Sequence, residues 1–221
     1  MCGRYFWTDD AEDEFEEDFP RLAGEIRKLR AGDYTPAMTA VAVTAGDHTH
    51  AMEAAGVPAD NHAPGMEANA GNGGKSLSAR SLQWGFPGFD KGKLLINARA
   101  ESVKDRPTFA DSFALRRCVL PAAGFYEWDR KKEKVVFTLP EKPILYLAGI
   151  YRPYGPDNRF VILTREANAS MSPVHDRMPL ILSKEEVEPW VIDAAEADRL
   201  LTKQLPMLKA DRPYEQMTFE W

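Results

Sequence analysis

Residues 116–128 read RRCVLPAAGFYEW, and this stretch holds two of the short apolar runs that decide the fold class. The two runs, Arg117 to Leu120 and Phe125 to Trp128, carry the β-branched and aromatic residues that favour strands. Comparable runs recur along the chain, and turn residues separate most of them. The further runs are Val41 to Val43, Leu94 to Ile96, Val135 to Leu139, Ile144 to Tyr151, Phe160 to Thr164 and Leu180 to Leu182. The pattern predicts a protein built mainly from strands.

Helical patterns are fewer. One face of an N-terminal helical region carries the apolar residues Phe15, Leu22, Ile26 and Leu29. Pro20 is expected to interrupt that region, because proline breaks the helical hydrogen-bond ladder. A second helix is predicted to begin at Ser183, with Glu186 completing a capping box. Many strands and few helices predict an α+β fold with a distorted, mainly antiparallel β-barrel or sheet flanked by helices.

The length of 221 residues and an apolar share of 44% suit a single domain over residues 1–221 with one sizeable core. Residues 46–79 are rich in Gly, Ala, Asn and His, have little periodicity, and are predicted to form one long mobile insertion. Three of the four histidines, His48, His50 and His62, lie there without Cys partners. This is a weak metal signal, so no metal or other cofactor is expected.

The cysteines and the N-terminal sequence indicate in which cellular compartment the protein is expected. Of the two cysteines, Cys118 lies in an apolar run and is expected to be a buried, inert thiol, while Cys2 lies near the start. We therefore expect no structural disulfide and a reduced, cytoplasmic protein. The N-terminus lacks the features of a signal peptide, and no apolar run reaches the roughly 18 residues that a membrane span needs, so no membrane association is expected.

The net charge of −6 argues at first against a nucleic-acid partner, but the charges are segregated. Residues 80–134 hold 12 Lys and Arg against 7 Asp and Glu, whereas eight of the ten residues from Asp9 to Asp18 are acidic. The acidic run is most simply a solvated helix face. The basic segment allows a local basic cleft.

The N-terminal residues MCGRY carry a chemical possibility of their own. Removal of Met1 would leave Cys2 with a free α-amine beside its thiol. The α-amine titrates near ~7.7–8.0, so part of it is an uncharged nucleophile at neutral pH. Such a residue can form a Schiff base with an aldehyde, and the thiol can then close a five-membered thiazolidine. The alternative is that Cys2 is simply a small residue.

Two strand ends carry polar residues suited to a binding site. Strand alternation would place Asn97, Arg99 and Glu101 on one face. There Asn97 could bind an amine or a sugar hydroxyl and Arg99 could clamp a phosphate; otherwise the segment is a solvent-facing strand end. Glu127 lies in an aromatic strand, where it could transfer protons or, alternatively, face solvent. Its neighbour Trp128 could stack on a base or pack in the core.

Two further residues have both a functional and a structural interpretation. His175, in the sequence HDRMP, is the only histidine outside the predicted insertion, and it could transfer protons near neutral pH or be a satisfied structural residue. Trp84 precedes the turn residues of GFPG and could form a stacking platform or fill the core.

Seven ordered motifs give the chain a family resemblance. They are MCGRY at the start, WGFPGF at 84–89, INARAE at 96–101, RRCVLPAAGFYEW at 116–128, LAGIY at 147–151, ILTREAN at 162–168 and HDRMPLIL at 175–182. On these motifs the sequence resembles the SOS-response-associated peptidase family, whose members shield abasic sites as DNA-protein crosslinks. The resemblance implies a single domain with a distorted β-barrel flanked by helices, and a basic groove for single-stranded DNA that leads to the N-terminal cysteine.

The resemblance also implies roles for individual residues. The residues of the catalytic set are Cys2, Asn97, Glu127 and His175. In this set Cys2 links to the ring-opened deoxyribose, Glu127 relays protons, His175 assists ring opening and Asn97 holds the linked residue. The residues implied to contact DNA are Arg4, Trp84, Arg99 and Trp128.

The resemblance further implies a partner and activities. The partner is single-stranded DNA that contains an abasic site, bound by a monomer that is nucleoid-associated when it is on DNA. The family's name implies an associated autoproteolytic or peptidase activity, and the chemistry implies a lyase-like one. Replication-fork partners are not identified by the sequence. The segment from Gly32 to Met38 follows the family's pattern only loosely, which leaves one side of the groove open.

Two other functions stay open at this point. An N-terminal-nucleophile amidohydrolase also uses a processed Cys-Gly start, although the later motifs do not match such enzymes. A passive single-stranded DNA-binding protein would need only the basic groove. The substitution Cys2→Ala separates these functions, because passive binding survives it and covalent capture does not.

Overall fold

The structure is a computed structural model that describes residues 2–46, 76–88, 90 and 92–212. The strands are β1 Tyr5–Trp7, β2 Gly32–Tyr34, β3 Thr39–Ala45, β4 Leu77–Trp84, β5 Phe86–Pro87, β6 Leu94–Leu95, β7 Asn97–Arg99, β8 Arg117–Ala122, β9 Gly124–Trp128, β10 Lys134–Thr138, β11 Leu145–Tyr154, β12 Asp157–Glu166, β13 Arg177–Pro179, β14 Ile181–Leu182 and β15 Lys209–Asp211. The helices are α1 Asp9–Asp18, α2 Ala23–Ile26, a 3-10 turn Ala100–Ser102, α3 Ala110–Leu115, α4 Lys184–Ile192 and α5 Ala194–Leu200.

Five strands close into a barrel. β3 pairs with β4 and β8, β8 pairs with β11, and β11 pairs with β12. The pairing of β12 with β4 closes the ring; it is parallel, whereas the other four are antiparallel. The predicted α+β fold with a distorted, mainly antiparallel barrel and flanking helices is confirmed.

β8 is buried over its whole length because helices cover the outer face of the barrel. Trp190 of α4 donates its indole N–H to the carbonyl of Cys118 at 3.0 Å. Arg117 is also buried, and its guanidinium donates to main-chain carbonyls near the ends of α3 and α4, among them those of Phe113 and Trp190. These carbonyls lack partners within their helices, so the cation satisfies them and stabilises the negative ends of the helix dipoles.

A second sheet, in the order β15-β10-β9-β1-β2, carries the N-terminus. Only Ala123 separates β8 from β9, so the quoted stretch 116–128 crosses directly from the barrel into this sheet. Gly124 permits the crossing, because a Cβ there would lie 2.6 Å from the carbonyl oxygen of Phe137 and 2.7 Å from the ring of Phe6. The second sheet is therefore joined to the barrel at Ala123, next to Gly124, which pairs with Phe6 of β1.

Two predicted helix boundaries are confirmed, although Leu22 and Leu29 of the predicted helical face lie outside the helices. α1 ends at Asp18 and α2 begins at Ala23, with Pro20 between them. α4 begins after the N-cap Ser183, whose N–H donates to Glu186 at 2.7 Å, as expected of the capping box. No helix in the described part of the chain is both long and apolar enough to cross a membrane.

Some elements were not predicted. β1, β4, α3 and α5 are absent from the sequence prediction, because β1 has only three residues and polar residues interrupt the apolar ones of the other three elements. The predicted insertion at 46–79 falls, at residues 47–75, outside the described residues. Its last three residues, Leu77–Ala79, lie in β4 and pair with β3.

Candidate functional site

Cys2 lies beside the end of β9. β1 is antiparallel to β9, with Tyr5 opposite Phe125, and the N–H of Tyr126 donates to the carbonyl of Arg4 at 2.9 Å. Continuing that pairing toward the N-terminus brings Cys2 alongside the last residues of β9. Cys2 is fully buried, and its Sγ lies 3.9 Å from the carbonyl oxygen of Arg4. Strand pairing thus holds the N-terminal segment against the protein.

Asn97 holds the main chain of Cys2 from the opposite side. β7 pairs in parallel with β12, placing Asn97 opposite Ile162, and the side-chain Nδ2 of Asn97 donates to the carbonyl of Cys2 at 3.0 Å. The Oδ1 of Asn97 is buried with no hydrogen-bond partner in the described part of the protein. A buried acceptor left unsatisfied costs about 1–3 kcal/mol, so this oxygen is a natural place for a ligand or an amine to donate.

Glu127 is the carboxylate of this site. It lies on β9 opposite Val135 of β10 and is 4% exposed. Burial of the Cys2 thiol, followed by the charge of Glu127, raises the pKa of the thiol to about 12. At neutral pH the Cys2 thiol therefore remains protonated, and the charge of Glu127 acts on it.

A charged and aromatic cluster lies next to Cys2 along β1, β2 and β9. Arg4 lies 5.4 Å over the ring of Trp128, and its Nη1 is 3.6 Å from a carboxylate oxygen of Asp33. The other carboxylate oxygen of Asp33 accepts from the Tyr126 hydroxyl at 3.0 Å. Partial burial and this hydrogen bond raise the pKa of Tyr126 to about 12. Lys134 places its Nζ 3.9 Å from the centre of the Tyr126 ring.

Trp128 is exposed, as expected of a residue that could stack on a base. Asp33 was missed by the sequence analysis. It lies in the three-residue strand β2, in the segment that follows the family's pattern only loosely, so neither periodicity nor a motif singled it out.

Arg99 and Glu101 do not continue along one extended face, so that expectation is wrong. β7 ends at Arg99, which is exposed, and the chain then forms the 3-10 turn Ala100–Ser102. Glu101 instead accepts two hydrogen bonds from the guanidinium of Arg177, at 2.8 and 2.7 Å. These bonds lower the pKa of Glu101 to about 2. Arg177 also donates to the carbonyl of Thr164 at 2.6 Å, which ties the ends of β7 and β13 to β12.

His175 precedes β13 and is partly buried. Its Nδ1 accepts the main-chain N–H of Arg177 at 2.9 Å and lies 2.9 Å from the carboxylate of Asp176. The main chain fixes the first contact, whereas the Asp176 side chain is 87% exposed. The segment before β13 therefore orients the imidazole.

Trp84 lies in the core, and this corrects the expectation that it borders a DNA groove. It is 1% exposed, stacks on Phe160 at a centroid distance of 5.8 Å and contacts the ring of Tyr5. Its indole N–H donates to the carbonyl of Ile96 at 2.9 Å. The next residue after Ile96 is Asn97, so Trp84 supports the site from beneath and does not contact a ligand.

A separate cavity of about 470 Å³ lies between the start of α4 and residues 203–207, away from Cys2. Its three lysines each pair with a carboxylate: Lys142 with Glu14, Lys184 with Asp18 and Lys203 with Glu186. The pairing gives this cavity little excess charge with which to attract an anion. Among the described residues, no three His, Cys, Asp or Glu side chains converge in a way that could hold a metal ion.

The sequence and the fold were compared with known proteins. The family model described as SOS response associated peptidase matches residues 1–220. The abasic site processing protein YoaM of Bacillus subtilis is 32% identical in an alignment of 134 positions that covers 54% of this chain and 59% of YoaM. The abasic site processing protein HMCES of Xenopus tropicalis is 28% identical in an alignment of 151 positions that covers 56% of this chain and 43% of HMCES. The matches thus cover less than two thirds of the length of these relatives.

Two crystal structures share the fold. A protein from Bordetella bronchiseptica superposes with a TM-score of 0.69 over 96% of this chain and 99% of that one, at 19% identity. A protein from Bacteroides thetaiotaomicron gives 0.69 over 97% of this chain and 93% of that one, at 18% identity. At these identities the similarity shows the fold alone.

Proposed function

The chain belongs to the SOS response associated peptidase family, and we propose that it captures abasic sites in single-stranded DNA as a covalent adduct on Cys2. The observation that carries the proposal is the meeting of Cys2, Asn97 and Glu127 at one end of β9. The names of the relatives YoaM and HMCES, abasic site processing proteins, support the choice of lesion.

The reaction needs a free α-amine on Cys2. While Met1 is attached, the nitrogen of Cys2 is an amide and cannot form an imine. Hydrolysis of the Met1–Cys2 bond is therefore the first step of the proposal. The small size of Cys2 suits removal of an initiator methionine, and a peptidase activity of the family would suit cleavage of the same bond.

The order of the two bond-forming steps follows from the thiol. Since the thiol is protonated at neutral pH, the amine attacks the aldehyde of the ring-opened deoxyribose first and forms an imine with loss of one water. The sulfur then adds to the imine carbon. Its proton passes to Glu127 and from there to the imine nitrogen, so the closed thiazolidine differs from its reactants by the one water already lost.

Asn97 and His175 have supporting roles in this proposal. Asn97 holds the carbonyl of Cys2, which restricts the main chain and keeps the amine and thiol in position for the same carbon. Its buried Oδ1 offers an acceptor for the amine. His175 assists the opening of the sugar ring, a role that rests on the family resemblance.

The DNA strand is proposed to approach across Arg4, Trp128 and Arg99. All three side chains reach the surface near the site, and arginine and tryptophan provide the phosphate contact and base stacking that single-stranded DNA requires. Trp84 has no part in this contact because it is buried.

The test is to incubate protein that begins at Cys2 with a single strand containing one abasic site, and then to denature the mixture. The parent protein should give an adduct whose mass is the sum of both reactants less one water. Cys2→Ala keeps an N-terminal amine but no thiol, so its imine should hydrolyse on denaturation and survive only after reduction with borohydride. A denaturation-resistant adduct of Cys2→Ala without reduction would refute the thiazolidine.

A passive single-stranded DNA-binding protein is the second candidate, favoured by the exposure of Trp128 and Arg99. It predicts equal binding of abasic and intact strands, with no adduct from either. Comparing the two strands on a denaturing gel separates it from covalent capture.

A further inference from the structure

The turn between β9 and β10 carries three consecutive cations. Residues 129–133 read Asp-Arg-Lys-Lys-Glu, and the side chains of Arg130, Lys131 and Lys132 are exposed. None of the seven family motifs includes this turn. The cations follow directly after Trp128, so they lie at the edge of the proposed DNA path.

The turn is ordered by its own hydrogen bonds. The main-chain N–H of Asp129 donates to the carbonyl of Glu133 at 3.0 Å, and the N–H of Lys132 donates to the carbonyl of Asp129 at 2.9 Å. The carboxylate of Asp129 accepts from the main-chain N–H groups of Lys131 and Glu133 at 2.8 and 3.0 Å. Such a turn presents its side chains without a large loss of backbone entropy when a ligand binds.

The carboxylates of the turn are engaged by another cation. Arg212 lies 2.8 Å from a carboxylate oxygen of Asp129 and 3.0 Å from one of Glu133. Arg212 offsets one of the two negative charges of Asp129 and Glu133. With Arg130, Lys131 and Lys132 counted, the cluster keeps a local excess of two positive charges on a chain whose net charge is −6.

Strand register places the turn next to the site. Because β1 is antiparallel to β9, moving along β9 from Tyr126 to Trp128 is moving from Arg4 toward Cys2. Trp128 pairs with Lys134, and the turn that joins β9 to β10 lies beyond Trp128 in that direction. A strand whose damaged sugar lies at Cys2 and whose neighbouring base covers Trp128 would pass over the turn.

We propose that Arg130, Lys131 and Lys132 form a phosphate-binding surface for the strand on one side of the lesion. This proposal rests on the proposed function, because it takes the lesion to lie at Cys2. The ligand is a phosphodiester backbone, and the contacts carry no base specificity. Each phosphate neutralised on a single strand contributes about 0.7 to the slope of log affinity against log salt, so three contacts contribute about 2.

The experiment measures non-covalent binding to strands that carry a tetrahydrofuran analogue of the abasic site, which has no aldehyde. Three strands of equal length and composition carry the analogue in the middle, near the 5′ end or near the 3′ end. The test protein is R130Q K131Q K132Q. The control is K28Q R199Q K209Q, which removes the same charge from exposed side chains at other places in the fold.

The test protein should bind the strand with the central analogue more weakly than the control does. Of the two strands that carry the analogue near one end, only one should show the same loss of affinity. Raising salt from ~50 to ~200 mM should weaken the parent about 20-fold more than the test protein, as the change in slope requires. K131R K132R should keep the parent slope. The thermal unfolding midpoint shows whether the test protein is folded.

Equal losses on all three strands, or a loss no larger than that of the control, would overturn the proposal. Because the analogue cannot react with Cys2, this result is independent of covalent capture. A protein that binds the analogue through the turn but forms no adduct with a true abasic site would refute the proposed function and leave the phosphate surface standing.

Discussion

The two cysteines are both fully buried and both unpaired, yet their surroundings differ. Cys118 lies in β8 within the barrel, where burial alone raises the pKa of its thiol. Cys2 has a carboxylate, Glu127, acting on its thiol and an amide, Asn97, bonded to its carbonyl. Burial therefore does not distinguish Cys118 from Cys2, the proposed nucleophile. The polar groups placed around the thiol of Cys2 do.

The largest expected effect is the one that separates the two cysteines. Cys2→Ala should reduce the yield of denaturation-resistant adduct at least 100-fold, since the thiol closes the ring. Cys118→Ala should leave that yield unchanged and lower the free energy of unfolding by about 1–2 kcal/mol through the lost packing of one sulfur. Denaturing gels and urea unfolding measure the two quantities. An equal loss of adduct in both variants would contradict the proposal that Cys2, and not Cys118, forms the adduct.

Glu127→Gln should affect the two cysteines differently, both in the rate of adduct formation and in the pKa of each thiol. Loss of a proton-transfer group at this site should slow adduct formation by about 100-fold. The charge of Glu127 raises the pKa of Cys2, so its removal should lower that pKa, whereas the pKa of Cys118, raised by burial alone, should not change. Thiolate absorbance followed in Cys118→Ala and in Cys2→Ala backgrounds reports each thiol separately. A shift of both thiols, or of neither, would contradict the assignment.

The ion pair of Glu101 with Arg177 should make the stability of the protein depend on pH. Its pKa in the folded protein is about 2, below the ordinary value of 4.5. The unfolded chain therefore binds the proton first as pH falls, so the stabilisation is complete above pH 4.5 and is lost as pH falls toward 2.

Because Glu101 is largely exposed, its contribution after screening is about 1 kcal/mol or less. Glu101→Gln should lower the free energy of unfolding by that amount at pH 7 and by nothing near pH 2. Urea unfolding of parent and variant at several pH values measures the difference. A constant difference across pH would argue against the ion pair with Arg177.

Asp33→Asn should have the smallest effect. Asp33 and Arg4 are both about 40% exposed, so their ion pair contributes at most about 1 kcal/mol. In the proposed function, a DNA phosphate competes with Asp33 for Arg4. Removing the carboxylate should therefore strengthen non-covalent binding of single-stranded DNA a few-fold, by fluorescence anisotropy. Asp198→Asn, which removes an exposed carboxylate paired with Lys104 elsewhere, is the matched control and should change binding less.

The strands β3, β6, β8 to β12 and β14, the break at Pro20 and the capping box at Ser183 could be predicted from the sequence, because they follow from local patterns. Burial of β8 on both faces shows in its uninterrupted apolar run. β4 was missed because polar residues interrupt it, and its partner β3 is far away in sequence. A local sequence pattern therefore predicts a strand only where its apolar residues are the ones that become buried.

For the site, the sequence determined the residue types and their order. It also carried the family resemblance, and the match of the family model to residues 1–220 shows that the chain belongs to that family. Only the tertiary structure decided which of those residues meet. Asn97 reaches Cys2 across 95 positions, Trp84 lies in the core, and Glu101 leaves its expected face to pair with Arg177. These contacts depend on the closure of the barrel and on the register of β1 against β9. Pairing between distant strands is set by the packing of the whole molecule, and a short run of residues carries no record of it.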